Sequence, residues 1–147
     1  MEFEEALHKA GGFIKEAKGK GYFLSSVFSS IKNPAEIVSE WTLHFCGNGK
    51  SLDCYVTGNN IVVEESHSLG EAKELDTGKV KVSATEALAT AGRGNKNAVT
   101  ILLSLHGSPP VWTINFITAA MTVTTIDVSA ETGKIIREET TSILKRV

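Results

Sequence analysis

Two five-residue segments in which large apolar residues alternate with polar ones restrict the fold of this chain more than any other feature. In Trp41-Thr42-Leu43-His44-Phe45, the indole, the leucine and the phenyl ring share one face of an extended strand. The same order returns in Trp112-Thr113-Ile114-Asn115-Phe116. Both segments are therefore predicted to be half-buried β-strands, whose tryptophan and phenylalanine side chains anchor the core.

The overall composition is that of a globular protein long enough to bury its own core. Of the 147 residues, 41% are hydrophobic and 22% are charged, and the net charge is −2. Interspersed charges of both signs argue against a nucleic-acid-binding surface, and no apolar run approaches the roughly 18 residues of a membrane span. The acidic start, Met1–Glu5, lacks the basic and then apolar order of a secretion signal. We therefore expect a cytoplasmic protein without nucleic-acid or membrane partners.

Apolar spacing predicts one helix and four strands in the first part of the chain. Phe3, Leu7 and Ile14 recur at helical intervals, which predicts a helix over residues 2–18, with a break or close packing at Gly11-Gly12. Strands are predicted over residues 22–31, 37–46, 52–57 and 61–65. A hairpin turn is predicted at Gly47–Lys50, between the second and third of these strands.

The second part of the chain contains the clearest local helix signal. Ser83 and Glu86 have the spacing of a capping box, which predicts a helix over residues 83–91. Gly133 is expected to adopt a positive φ in the turn before the last strand. The polar residues 66–81 lack a clean period and are predicted to connect the two parts. Strands are predicted over residues 99–105, 111–118, 121–129 and 134–140.

The two parts follow the same order of elements, which indicates an internal repeat. Glu5–Gly11 matches Glu86–Gly92 in the two helices, and the two tryptophan strands match each other. We therefore predict an α+β fold of two similar halves, residues 1–65 and 82–147, joined by the connector. Each half is expected to pack one helix on a four-stranded antiparallel sheet, and the sequence leaves open whether the two halves form one continuous sheet or two separate layers.

The second half combines the Glu86-Ala87-Leu88 helix, the Trp112–Phe116 strand, and a closing strand through Asp127 into Thr132-Gly133-Lys134. On these residues it resembles a PepSY domain, well over residues 82–140, whereas residues 2–65 resemble it weakly. The resemblance implies a cystatin-like wrapping of a sheet around a helix, and a function in inhibiting or regulating peptidases.

His44, Cys46 and Cys54 form the one group of side chains that could carry chemistry on a common rim. Zn²⁺ binds Cys and His, but a structural site needs a fourth ligand, either His67 or Asp53. A Cys–His nucleophilic pair would join residues two apart on a strand, roughly 6–7 Å between Cα atoms, and no third orienting residue is evident. A disulfide between the two cysteines stays open.

No coherent catalytic set is present, so the chain is predicted not to be an enzyme and to hold no cofactor or metal. The preferred interpretation is a non-catalytic binding or regulatory protein that recognises a peptide or another protein, and a homodimer is compatible with it. The alternative is a small-ligand or metal-binding sensor, or an enzyme, that uses His44, Cys46 and Cys54 as its polar rim.

Overall fold

The computed structural model shows an antiparallel sheet of eight strands. It describes residues 1–32, 38–67, 72–92 and 97–143. Residue 37 of the second predicted strand, residues 68–71 of the predicted connector and residues 144–147 lie outside the described residues. The strands in chain order are β1 Phe23–Ile31, β2 Glu40–Gly47, β3 Lys50–Thr57, β4 Asn60–His67, β5 Ala98–His106, β6 Val111–Thr118, β7 Thr122–Ser129 and β8 Ile135–Ser142.

The order of the strands across the sheet is β4-β3-β2-β1-β5-β6-β7-β8. The chain thus runs outward twice from the centre of the sheet, where β1 pairs antiparallel with β5. That central pairing joins Ser26–Ile31 to Ile101–His106. Since every neighbouring pair is antiparallel, one continuous ladder of backbone hydrogen bonds crosses the sheet and leaves β4 and β8 as its edges.

Three short α-helices accompany the sheet: α1 Phe3–Lys9, α2 Gly11–Gly19 and α3 Ala84–Thr90. The predicted first helix is interrupted at Ala10, immediately before the two glycines, so α1 and α2 are separate. The predicted capping box is confirmed. The Glu86 backbone N–H donates to the Ser83 hydroxyl at 3.1 Å, and the Ser83 N–H donates to the Glu86 carboxylate at 3.4 Å.

The predicted α+β fold class is wrong. The described residues are mostly one antiparallel sheet of eight strands with three short helices, not two halves that each pack a helix on a four-stranded sheet. The cystatin-like wrapping is not supported, because the helices have seven, nine and seven residues, roughly 10–14 Å, and are too short for a sheet to wrap around. The internal repeat is likewise not supported, since two short α-helices precede β1 and a single one, α3, precedes β5 in the described residues. In separate halves β1 and β5 would each be an unpaired edge, and their mutual pairing satisfies those backbone groups.

The strands themselves lie close to where the alternation of residues predicts them. Each predicted strand overlaps an observed one, and residues 111–118 coincide with β6. The turn between β2 and β3 is confirmed at Asn48-Gly49, where both residues have positive φ, as a two-residue hairpin requires. Gly133 also has a positive φ, of 80°.

A contact among three aromatic rings forms the centre of the core. Trp41 on β2 and Trp112 on β6 are fully buried, and their ring centroids lie 5.9 Å apart. Two strands separate β2 from β6, which is about 14 Å of sheet, so the two indoles lean toward each other above β1 and β5. Phe3 of α1 packs edge-on against both indoles, with 6.2 Å between centroids in each pair.

Hydrogen bonds tie the chain before α1 and before α3 to this aromatic cluster. The indole N–H of Trp41 donates to the Met1 carbonyl, and that of Trp112 donates to the Val82 carbonyl, each at 2.9 Å. The Glu2 carboxylate accepts from the backbone N–H at the start of α3 and from the Thr85 hydroxyl. The start of the chain is therefore held against the beginning of α3 as well as against the sheet.

We expect Phe3→Ala to destabilise the protein by about 3–5 kcal/mol, because the phenyl ring is buried between two indoles and its removal leaves a cavity. Urea unfolding followed by tryptophan fluorescence measures the free energy of unfolding. Phe28→Ala is the matched control, since Phe28 is 42% exposed, and should cost less than about 1 kcal/mol. Equal losses in the two variants would contradict the central position of Phe3.

Candidate functional site

The face of the sheet opposite the core carries polar side chains on every strand, and we call it the open face. Its members alternate along each strand with the buried residues of the core face. Most are half-exposed, so this face is accessible to a ligand. They include Ser26 and Phe28 on β1, Thr42, His44 and Cys46 on β2, Asp53 and Tyr55 on β3, Val62 and Glu64 on β4, His106 on β5, Thr113 on β6, Asp127 on β7 and Arg137 on β8.

His44 lies at the centre of a three-residue cluster on the open face. Its Nδ1 is 2.6 Å from Asp53 Oδ1, and its Nε2 is 3.4 Å from the Sγ of Cys46. An ionised carboxylate only accepts hydrogen bonds, so Nδ1 carries the proton that faces Asp53. In the neutral imidazole Nε2 is then the acceptor that faces the thiol. His44 and Asp53 are 36% and 28% exposed, whereas Cys46 is 4% exposed.

The structure separates Cys54 from the predicted rim of His44, Cys46 and Cys54. Cys54 pairs with Leu43 across β2 and β3 and lies fully buried in the hydrophobic core, on the opposite face from the other two. Burial raises the pKa of the Cys54 thiol to about 11. Both cysteines are free thiols. Among the described residues, no group of three His, Cys, Asp or Glu side chains is placed to hold a metal ion.

Two features of this cluster differ from the sequence analysis. The Cα spacing along β2 argues against contact between His44 and Cys46, but the two side chains converge on the open face. Asp53, predicted above only as a possible zinc ligand, is the residue that orients the His44 imidazole. The signal that identifies it is the two-residue turn at Asn48-Gly49, because counting outward from that turn pairs Asp53 with His44.

A second polar cluster occupies the other half of the open face. His106 Nε2 donates to the Thr113 hydroxyl at 2.8 Å, and that hydroxyl donates to Asp127 Oδ1, also at 2.8 Å. Arg137 Nε donates to Asp127 Oδ2 at 3.0 Å. Each carboxylate oxygen of Asp127 thus has a donor, and the chain of contacts crosses four neighbouring strands. These cross-strand contacts support the register of β5 to β8 on the face opposite the core.

The two edge strands differ in the side chains that they expose. On β4, three consecutive aliphatic residues are exposed: Ile61 by 40%, Val62 by 56% and Val63 by 42%. On β8 a single strongly exposed aliphatic residue, Ile136 at 60%, is followed by Arg137-Glu138-Glu139 and then by threonines. Charged residues on an edge discourage pairing with another chain, whereas an aliphatic edge invites it. Of the two edges, β4 is therefore the one suited to adding a strand.

Acidic residues follow the aliphatic segment of β4. Glu64 accepts a hydrogen bond from the Tyr55 hydroxyl at 3.3 Å on the open face, and Glu65 forms an exposed ion pair with Lys50 at 3.2 Å. The pKa of Tyr55 is raised, first by desolvation of the hydroxyl and then by the negative charges of Glu64 and Asp53. Negative charge thus accumulates where β4 borders the His44 cluster.

Comparison with known proteins shows a similarity of fold. No protein-family model and no curated protein sequence matches the chain. A crystal structure of a protein described as a putative lipoprotein from Clostridium difficile 630 matches with a TM-score of 0.61 and 14% sequence identity. The match covers 91% of this chain and 92% of that one. Separately, none of the helices in the described residues is long and apolar enough to cross a membrane.

We expect the buried thiol of Cys54 to make stability depend on alkaline pH. The unfolded thiol ionises near its ordinary pKa of 9.0, whereas the folded one ionises near 11, so stability is lost as pH rises through this interval. The loss from this group should reach about 1 kcal/mol by pH 10. Urea unfolding at pH 8 and pH 10 measures it, with Cys54→Ala as the reference. Identical pH dependence in the two proteins would contradict the assignment.

Proposed function

We propose that this chain is a non-catalytic binding protein that recognises an extended polypeptide segment by adding it to the sheet beside β4. The observation that carries the proposal is the exposed aliphatic segment Ile61-Val62-Val63 on an edge strand. Main-chain hydrogen bonds supply affinity in strand addition, and alternate side chains supply specificity.

The backbone of β4 supports the first part of this proposal. In an antiparallel ladder, alternate residues direct their N–H and C=O groups toward the neighbouring strand. β4 pairs with β3 along its whole length, from Asn60 opposite Thr57 to His67 opposite Lys50. The intervening set of backbone groups on β4 therefore points outward from the sheet. An added strand about 4.8 Å away would satisfy those groups.

The side chains of β4 define the chemistry of the partner. Val62 lies on the open face and Ile61 and Val63 on the face that carries the core, so both faces of an added strand would meet an aliphatic surface. Glu64 and Glu65 come next, one on each face. The matching partner of an antiparallel addition is an extended segment in which lysine or arginine precedes three or more aliphatic or β-branched residues. Because Glu64 and Glu65 follow the aliphatic residues of β4, the basic residues belong at the N-terminal end of the antiparallel partner.

The charge on β4 favours another polypeptide over a second copy of this chain. If two copies paired through β4 with Val62 opposite Val62, each Glu64 would face the Asn60 of the other copy. Such a pairing brings no cation to Glu64, whereas a basic segment would place a lysine or arginine beside it. The occupant is therefore a segment of a different protein or peptide.

Three predictions from the sequence stay predictions. They are the PepSY resemblance, the cytoplasmic location and the absence of catalysis, and the 14% identity of the C. difficile protein bears on the fold alone. Regulation of a peptidase, which the resemblance implies, would be one instance of binding an extended segment.

The test uses a fluorescein-labelled peptide that begins with two lysines and continues with alternating valine and threonine. We expect fluorescence anisotropy to detect binding to the wild type, and Val62→Lys to weaken it at least tenfold, because a lysine ammonium would have to enter an apolar strand contact. Thr140→Lys on the opposite edge strand β8 is the matched control and should bind the peptide as the wild type does.

A peptide N-methylated at alternate residues separates strand addition from simple hydrophobic adhesion. The methyl groups are placed on the residues whose N–H groups face β4. The peptide keeps its side chains but loses those backbone donors, so it should not bind. Equal binding by the methylated peptide, or equal weakening by Thr140→Lys, would contradict the proposal. A wild-type dimer that dissociates in Val62→Lys, in a protein that binds no peptide, would instead identify a second copy as the occupant.

A further inference from the structure

We propose that Cys46 is a nucleophilic thiol that forms mixed disulfides with low-molecular-weight disulfides, with His44 as its base and Asp53 as the positioning residue. The inference is independent of strand addition at β4. It rests on which atoms face each other on the open face, and on the position of the second cysteine of the chain.

The atoms of the cluster lie in the order that thiol activation requires. Asp53 Oδ1 faces His44 Nδ1 at 2.6 Å, and Cys46 Sγ faces His44 Nε2 at 3.4 Å. The carboxylate therefore holds the imidazole in the tautomer whose free nitrogen can accept the thiol proton. The hydrogen bond from Nδ1 to Asp53 would be enough to hold a structural histidine in place, whereas here Nε2 also faces a thiol.

Regular strands hold the three residues in place. His44 and Cys46 are two apart on β2, and Asp53 is the direct cross-strand partner of His44 on β3. β2 pairs with β1 on its other side, where Ser26 stands opposite His44. Because both strands are interior to the sheet, their backbones have little freedom, and the imidazole is oriented before any ligand arrives.

The exposure of Cys46 restricts the substrate to a small molecule. The residue is only 4% exposed, although the imidazole beside it is about one-third exposed. A disulfide buried in another protein could not bring its sulfur within bonding distance of Sγ. A slender, flexible disulfide formed from two small thiols can approach along the imidazole side.

The position of Cys54 determines what the reaction yields. The chain contains two cysteines, and Cys54 is buried on the opposite face of the sheet. It therefore cannot attack a mixed disulfide on Cys46 to form an internal disulfide. Cys46 is therefore a modification site whose mixed disulfide is released by an external small thiol and not by Cys54.

The proposed step balances as follows. His44 Nε2 accepts the proton of the Cys46 thiol, and the thiolate attacks one sulfur of the small disulfide. A sulfur–sulfur bond forms to Cys46 as the sulfur–sulfur bond of the reagent breaks. The departing thiolate takes the proton from the imidazolium. Cys46 and one sulfur of the reagent are thereby joined as a disulfide, and the other half of the reagent is reduced to a thiol.

The test uses 5,5′-dithiobis(2-nitrobenzoate), a small aromatic disulfide whose leaving thiolate absorbs visible light. We expect the folded wild type to release one equivalent quickly, and Cys46→Ser to abolish that release. Cys54→Ala should leave it unchanged, because Cys54 is on the other face. His44→Gln should slow it about tenfold or more at pH 7, consistent with the usual contribution of a general base.

The pH profile distinguishes activation from a structural effect. In His44→Gln the rate should fall more steeply toward low pH than in the wild type, because no imidazole is left to accept the thiol proton. Asp53→Asn should change the profile in the same direction, and thermal unfolding confirms that the variants are folded. His106→Gln, the matched control on the other polar cluster, should react as the wild type does.

Oxidised glutathione followed by mass spectrometry extends the test to an aliphatic disulfide. We expect one glutathione adduct on the peptide that contains Cys46, removed by added thiol. Two results would overturn the proposal. One is an unchanged rate and profile in His44→Gln, and the other is modification of Cys46 only after denaturant is added.

Discussion

The contact between the indoles of Trp41 and Trp112, with Phe3 edge-on to both, is the interaction on which the rest of the structure depends. These rings join β2 to β6 above the central strands, so they hold the β1–β5 pairing from the core side. The indole N–H groups also anchor the chain before α1 and before α3. Helices this short have little stability of their own, and they cover the sheet because the chain is anchored at these points.

A sheet covered on one face assigns opposite chemistry to neighbouring residues. Cys54 and Asp53 are adjacent in the chain, yet one is a core thiol with a raised pKa and the other is a half-exposed carboxylate beside His44. Phe45 and Cys46 are likewise adjacent, yet Phe45 lies in the core and Cys46 contacts His44 on the open face. The period of two along a strand therefore separates the two cysteines and places the thiol that can react on the open face.

A continuous sheet with few edges also concentrates binding capacity at its ends. Six of the eight strands have partners on both sides, which leaves backbone groups available on β4 and β8. The side chains then decide between the two edges. Arg137-Glu138-Glu139 on β8 opposes pairing, and Ile61-Val62-Val63 on β4 favours it. Asp53 of the His44 cluster lies on β3 opposite Glu64 of β4, so the proposed peptide-binding edge and the proposed thiol site are neighbours on one surface.

Local sequence by itself determined the strands, the Asn48-Gly49 turn and the Ser83–Glu86 cap, because each depends on residues a few positions apart. The turn also determined the pairing of His44 with Asp53, since a two-residue hairpin leaves one register. Only the tertiary structure decided that β1 pairs with β5, that one sheet replaces two, and that the two tryptophans touch. Those contacts join residues far apart in the chain, and no periodicity within a strand specifies which other strand will satisfy its edge.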